Sequence, residues 1–244
     1  MVEPQLPKLM TWVRFPSPAP LFTRLMLLLW LTSDAALADY VQYPFDAPAD
    51  YLAPAGEMSG WAATLARHAD QRAWLADCSL GERRCRGRVR SLAEVLERGR
   101  SLSETDQISL VNYYINRTKY KDDRPQRLYD AEGNKLGVMR SSWTTLYDFL
   151  TKGGDCEDYA TAKYFMLREL GWTAERLKVV VVWEIRERGY HGLLAVKQAD
   201  GSVWLLDSDN RIKKKSHRGY RYLYAMNEHS VWDHQGADAP ARGR

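Results

Sequence analysis

The hydrophobic period of this chain changes once, at Gly171, and that change limits the possible folds more than any other feature. Before it, apolar residues recur at helical spacing; after it, they run continuously or alternate. Trp61, Leu65, Trp74 and Leu75 predict a helix over 59–76, and Val89, Leu92, Val95 and Leu96 predict a second. Ser103, three residues ahead of Asp106, resembles a capping box opening a third helix, with Ile108, Leu110, Val111, Tyr114 and Ile115 leaning inward. Trp143, Leu146, Phe149 and Leu150 form a short fourth helix, stopped by Gly153-Gly154. A fifth covers 156–170, with Gly171 as its C-terminal cap. Residues 177–185 are β-branched and nearly unbroken, the pattern of a strand buried on both faces. Residues 191–197 and 202–207 read as two more strands joined around Asp200-Gly201, and Tyr220, Tyr222 and Tyr224 alternate as a last one. Residues 39–58 are rich in Pro and Ala and read as extended; 119–140 read as a long polar loop. The fold class is therefore α+β: N-terminal helices, then an antiparallel β-sheet with the Cys156 helix packed on it.

The first 38 residues have the pattern of an export signal. Arg14 and Arg24 supply positive charge, 25–31 is an apolar core too short to span a bilayer comfortably, and Ala36-Leu37-Ala38 is a small-x-small cleavage site. The expected organisation is a signal peptide at 1–38, one domain at 39–235 and a disordered tail at 236–244, with the mature protein in the periplasm. Removing 1–38 takes away three basic and two acidic residues, so the net charge falls from +4 to +3 and does not call for nucleic acid. A basic run (Arg211, Lys213, Lys214, Lys215, Arg218, Arg221) is either a solvated face or a docking patch for an acidic partner. In an oxidising compartment Cys78 and Cys85 would close a small disulfide loop; two free thiols are the alternative. No ligand-spaced His or Cys accompanies them, so zinc is not expected. Cys156 is left over, as an intermolecular partner or a reactive thiol.

Cys156 opens a helix after a glycine pair, among Asp155, Glu157 and Asp158. A thiol at a helix N-terminus faces the positive end of the helix dipole, which favours a nucleophilic thiolate. A structural cysteine in an acid-capped helix start is the other reading. A nucleophile needs a base, and the base an orienting group. His191 starts one strand and Asp207 ends its antiparallel neighbour, which brings both to one sheet edge. They share a face only if paired residue numbers sum to an even value. That requires a three-residue loop, 199–201, or a bulge. Asp209 has the same parity and competes as the orienting acid. His68, His217, His229 and His234 read as surface residues.

Trp143-Thr144-Thr145-Leu146-Tyr147-Asp148-Phe149-Leu150, Gly153-Gly154-Asp155-Cys156-Glu157-Asp158-Tyr159-Ala160 and Lys163-Tyr164-Phe165 resemble the bacterial transglutaminase-like cysteine proteinases, in particular the LapG-type periplasmic proteases. The order Cys156, His191, Asp207 is also similar, and the likeness covers about 60–230. The resemblance implies a papain/transglutaminase-like fold and a Cys-His-Asp endopeptidase. The oxyanion would be held by the Cys156 N–H, with Trp143 nearby. Calcium would sit beside the nucleophile on Asp155, Glu157 and Asp158, although these acids could equally serve only to stabilise the helix start. The implied substrate is a large surface adhesin, cut near its N-terminus so that biofilm disperses. The implied regulator is a LapD-type inner-membrane cyclic-di-GMP receptor that sequesters the protease. Departures are Asp207-Ser208-Asp209-Asn210 in place of an Asp-Asn pair, Gly192 where a larger apolar residue is usual, and the basic run. Two other functions use the same residues: a transglutaminase or amidase acting on cell-wall peptides, and a non-catalytic calcium-dependent binding module.

Overall fold

The computed structural model describes residues 45, 50–80, 85, 88–123, 126–129, 135–139, 143–213 and 219–234. The expected signal peptide and C-terminal tail lie outside the described residues, as do His217 and Lys214, Lys215 and Arg218 of the basic run. In chain order the elements are β1 (Asp50–Pro54), α1 (Ser59–Leu80), α2 (Val89–Arg100), α3 (Glu104–Asn116), β2 (Gln126–Tyr129), β3 (Lys135–Met139), α4 (Leu146–Lys152), α5 (Cys156–Glu169), β4 (Leu177–Glu184), β5 (Gly189–Lys197), β6 (Val203–Leu206), β7 (Ile212–Lys213), β8 (Tyr220–Met226) and β9 (Ser230–Asp233). No described helix is long and apolar enough to cross a membrane.

Seven strands form one antiparallel sheet in the order β1-β9-β8-β4-β5-β6-β7. Its centre, β4, is the continuous apolar run. Leu177 and Val179 face the helices together with Leu194, Val196 and Leu206, packing among Trp61, Phe149, Tyr164, Phe165, Met166 and Leu167. Val180 and Val182 face the other way with Leu193, Ala195, Leu205, Tyr220 and Tyr222. Each such side chain contributes about 1.5–3 kcal/mol when fully buried, so a strand apolar on both faces is secured from both. Helix α5 is buried along most of its length and lies against β4 and β5 on one side, α3 and α4 on the other.

Local signals position the helix ends. Ser103 Oγ accepts from Asp106 N (3.3 Å) and Thr145 Oγ1 from Asp148 N (3.1 Å). Gly153 ends α4 at φ +77° and Gly171 follows α5 at φ +95°. Helix α1 runs to Leu80, past the expected end at 76, and a disulfide joins its Cys78 to Cys85.

The long loop expected at 119–140 contains an antiparallel strand pair, β2 on β3, in a unit separate from the one that holds the other described elements. Strand β1 falls within the 39–58 stretch expected to be extended, while β7 and β9, of two and four residues, have no counterpart among the predicted strands. The Tyr220–Tyr224 alternation is broken by a bulge, since Val181 pairs with Tyr224 and Val182 with Tyr222. Two histidines expected at the surface are buried: His68 stacks on Phe165 (3.7 Å), and burial pushes the His234 pKa down to about 4. His229 is exposed.

Candidate active site

The register of β5 on β6 decides where His191 and Asp207 lie. Leu194 pairs with Leu206, Ala195 with Leu205, Val196 with Trp204 and Lys197 with Val203, an even sum throughout. The ladder closes with Gln198 N donating to Ser202 O (2.9 Å), which leaves the three-residue loop 199–201. Gly201 takes φ +84° there and returns its N–H to Gln198 O (3.0 Å). His191 and Asp207 therefore share a face, and His191 Nε2 lies 2.7 Å from Asp207 Oδ1. Asp209 is not beside His191. It forms an Asx turn with Arg211 N (3.0 Å) and an ion pair with the Arg211 side chain (3.2 Å).

Asp207 is held on every oxygen. Oδ1 also accepts from Ser208 N (2.7 Å), and Oδ2 accepts from Lys213 Nζ (2.6 Å) and Tyr220 OH (2.9 Å). Its main-chain oxygen accepts from Asn116 Nδ2 (2.8 Å) and from Lys163 Nζ (2.6 Å). Burial alone would raise the Asp207 pKa. The hydrogen bonds and charges of His191 and Lys213 outweigh it and hold the carboxyl well below the usual range. Lys163 is fully buried, and burial lowers its pKa to about 7 despite the nearby Asp207 and Asp209 charges. The part played by both lysines is not legible in the sequence, where Lys213 belongs to the basic run and Lys163 to the motif alone.

Cys156 occupies the first position of α5, where its N–H has no intrahelical acceptor. Its Sγ accepts from Gly192 N (3.3 Å) and donates to Glu157 Oε2 (3.2 Å). No Cys156–His191 hydrogen bond forms among the described residues; the thiol meets β5 through the next residue along. That approach depends on Gly192. A Cβ there would sit 2.8 Å from Glu157 Cα and 2.9 Å from Glu157 N, so the larger residue expected from the resemblance has no room. Burial and the Glu157 charge push the Cys156 thiol up, with the Gly192 N–H acting the other way. The surrounding carboxylates thus oppose the dipole effect expected from the sequence. Trp143 packs edge-on against Trp61 (5.6 Å).

A model of the bacterial transglutaminase-like cysteine proteinases matches residues 67–237. The chain belongs to this family. Legionella pneumophila LapG has the same fold, with a TM-score of 0.54 and 22% identity over 67% of this chain and 89% of that one. Its calcium-bound form gives 0.54 and 21% over 70% and 90%. Its EGTA-treated form gives 0.54 and 21% over 67% and 87%. No curated protein matches the sequence.

Beside the thiol of this family member lies a cluster suited to a hard cation. Ligand atoms of Asp155, Cys156 and Glu157 all fall within 4.8 Å of one another. Asp155 Oδ1 is buried without a hydrogen-bond partner, while Oδ2 accepts a long bond from Asp123 N (3.4 Å). Burial, then the hydrogen bond and charge of Glu157, push the Asp155 pKa up to about 9. Two crowded carboxylates with an unused oxygen fit a divalent cation that prefers oxygen; a thiol does not suit such an ion. Asp158 stands apart from the cluster. It is fully buried, and its oxygens accept from Thr144 N (2.8 Å) and Asp155 N (3.2 Å), which fixes the start of α5. Burial and the Glu157 charge push its pKa up to about 7, against the Thr144 hydrogen bonds.

Proposed function

We propose that this protein is a periplasmic, calcium-dependent cysteine endopeptidase with Cys156 as nucleophile, His191 as base and Asp207 as orienting acid. One observation carries the reading: the His191–Asp207 contact (2.7 Å) lies on the strand whose next N–H binds the Cys156 sulfur (3.3 Å). Asp207 engages His191 Nε2, which leaves Nδ1 to take the thiol proton. The thiolate attacks a peptide carbonyl, and the Cys156 N–H at the open helix start donates to the developing oxyanion. His191 then protonates the leaving amine and activates the water that releases the acyl group. Asp207 supports the imidazolium throughout. Asp155 and Glu157 would hold the cation, as the calcium-bound form of LapG makes reasonable for a relative. Bound there, calcium supplies positive charge beside the nucleophile. Asp158 and Gly192 keep the first turn of α5 in place against β5.

The substrate in this reading is the N-terminal region of a large surface adhesin, whose release disperses biofilm. A LapD-type inner-membrane cyclic-di-GMP receptor would sequester the protease. The test mixes the chain from Asp39 with the N-terminal region of a giant adhesin from the same genome, alongside Cys156→Ala and a calcium chelator. A single cut, lost in both controls, is expected. Cutting by Cys156→Ala would remove the nucleophile assignment, and cutting that ignores the chelator would remove the metal.

A further inference from the structure

Among the described members of the basic run, Lys213 is the one that turns away from solvent. Strand β7 pairs with β6 so that Lys213 lies opposite Leu205, on the face that Asp207 shares. The turn between them is tightly determined: Asp207 N donates to Arg211 O (3.3 Å), Asn210 takes φ +67°, and Asn112 Nδ2 from α3 donates to Asn210 O (3.1 Å). The result is Lys213 Nζ 2.6 Å from Asp207 Oδ2 and 4.6 Å from the centre of the Tyr220 ring, with the Tyr220 hydroxyl on the same oxygen and hydrogen-bonded to Lys213. The Lys213 side chain is only 17% exposed.

We infer that Lys213 and Tyr220 are positioning residues for the reaction proposed above, fixing the Asp207 carboxylate plane so that Oδ1 is presented to His191. A carboxylate rotates about its Cα–Cβ–Cγ bonds unless both oxygens are engaged. His191 and Ser208 N hold one oxygen; Lys213 and Tyr220 hold the other. The main chain of Asp207 is fixed separately, by Asn116 and Lys163 on its carbonyl. Removing the side-chain clamp therefore frees the carboxylate without releasing the end of β6. The Lys213 ammonium on the carboxylate also keeps it ionised whichever charge state His191 adopts. Loss of a support of this kind weakens a catalytic pair without touching substrate, so it lowers kcat and leaves KM alone.

The experiment compares Lys213→Met, Tyr220→Phe, the rescue Lys213→Arg and the control Arg211→Met, whose side chain is exposed on the same turn. The inference rests on the Cys156, His191, Asp207 reading, so two independent measurements are made on the chain from Asp39. The first is adhesin cleavage. The second is the downfield proton resonance of His191 Nε2–H, which reports the hydrogen bond to Asp207 with no substrate present. For Lys213→Met we expect kcat to fall about tenfold with KM within about twofold, and the resonance to broaden or disappear. Tyr220→Phe should do the same more weakly, Lys213→Arg should restore both, and Arg211→Met should change neither. Unchanged kcat and resonance in both Lys213→Met and Tyr220→Phe would overturn the inference. If the wild type cleaves no adhesin, the function reading fails and the resonance alone decides: lost in folded Lys213→Met, the clamp stands; retained, it falls.

Discussion

Replacing Gly192 with alanine should disturb both the fold and the thiol. The added Cβ would meet Glu157 Cα at 2.8 Å and Glu157 N at 2.9 Å, and both are main-chain atoms of a helix start that cannot rotate aside. Reaching an ordinary contact of 3.4 Å requires β5 and the first turn of α5 to separate by about 0.6 Å. Over-packing of this size costs about 1–3 kcal/mol. A chain of this length loses about 2–4 °C in Tm per kcal/mol, so the expected drop is about 2–12 °C. The same separation lengthens the 3.3 Å contact from Gly192 N to Cys156 Sγ, so peptidase activity should fall further than stability alone explains. Thermal unfolding of the chain from Asp39, followed by cleavage assayed well below Tm, measures both. Gly192→Val should be worse. In an uncrowded strand the sign is opposite, because replacing glycine there stabilises by about 0.5–1 kcal/mol. An alanine variant as stable and active as wild type would refute the close approach of β5 to α5.

Four further outcomes follow from the geometry. Asp207→Asn should reduce cleavage about 10³–10⁴-fold while Asp209→Asn leaves it within about twofold; the reverse pattern in kcat/KM would make Asp209 the orienting acid. Buried Lys163 releases its proton near pH 7 and an ordinary lysine near 10.5, so between these values the unfolded chain holds more protons and stability rises with pH. Urea melts at pH 7 and pH 9.5 should show that Lys163→Met removes this increment. Replacing Cys78 and Cys85 by serine should cost about 2–3 kcal/mol for so short a loop, read as a lower urea midpoint at unchanged slope. Calcium at about a thousandfold above its dissociation constant should stabilise the wild type by about 4 kcal/mol and Asp155→Asn by much less, as seen in calcium titrations of Tm.

The parts of this molecule legible in the sequence are those governed by near neighbours. Ser103 with Asp106, and Gly153 and Gly171, set helix ends through bonds or dihedrals within a few residues. The 199–201 loop follows from parity, because a strand's side chains alternate strictly and one residue more or less would move His191 or Asp207 to the wrong face. The β2–β3 pair is not legible in the sequence because Gln126–Tyr129 carries no apolar alternation to match Leu136 and Val138. Thr145, three residues ahead of Asp148, carries a cap signal of the same kind as Ser103. Asp158 could not be distinguished from Asp155 and Glu157 by type or spacing; it differs because the Thr144 main chain arrives to take one of its oxygens.

The sequence by itself determined the division into helices and sheet, the nucleophile helix with its acidic start, and a His and an Asp at one sheet edge. These depend on period and on short-range chemistry, which the order of residues states directly. Only the tertiary structure decided that Asp207 rather than Asp209 meets His191, that Lys213 turns inward from a basic run, and that Gly192 must lack a side chain. Each of those depends on a distance between segments far apart in the chain, such as α5 against β5 or α3 against the 207–210 turn. Such distances are set by how whole faces pack, which no local pattern contains.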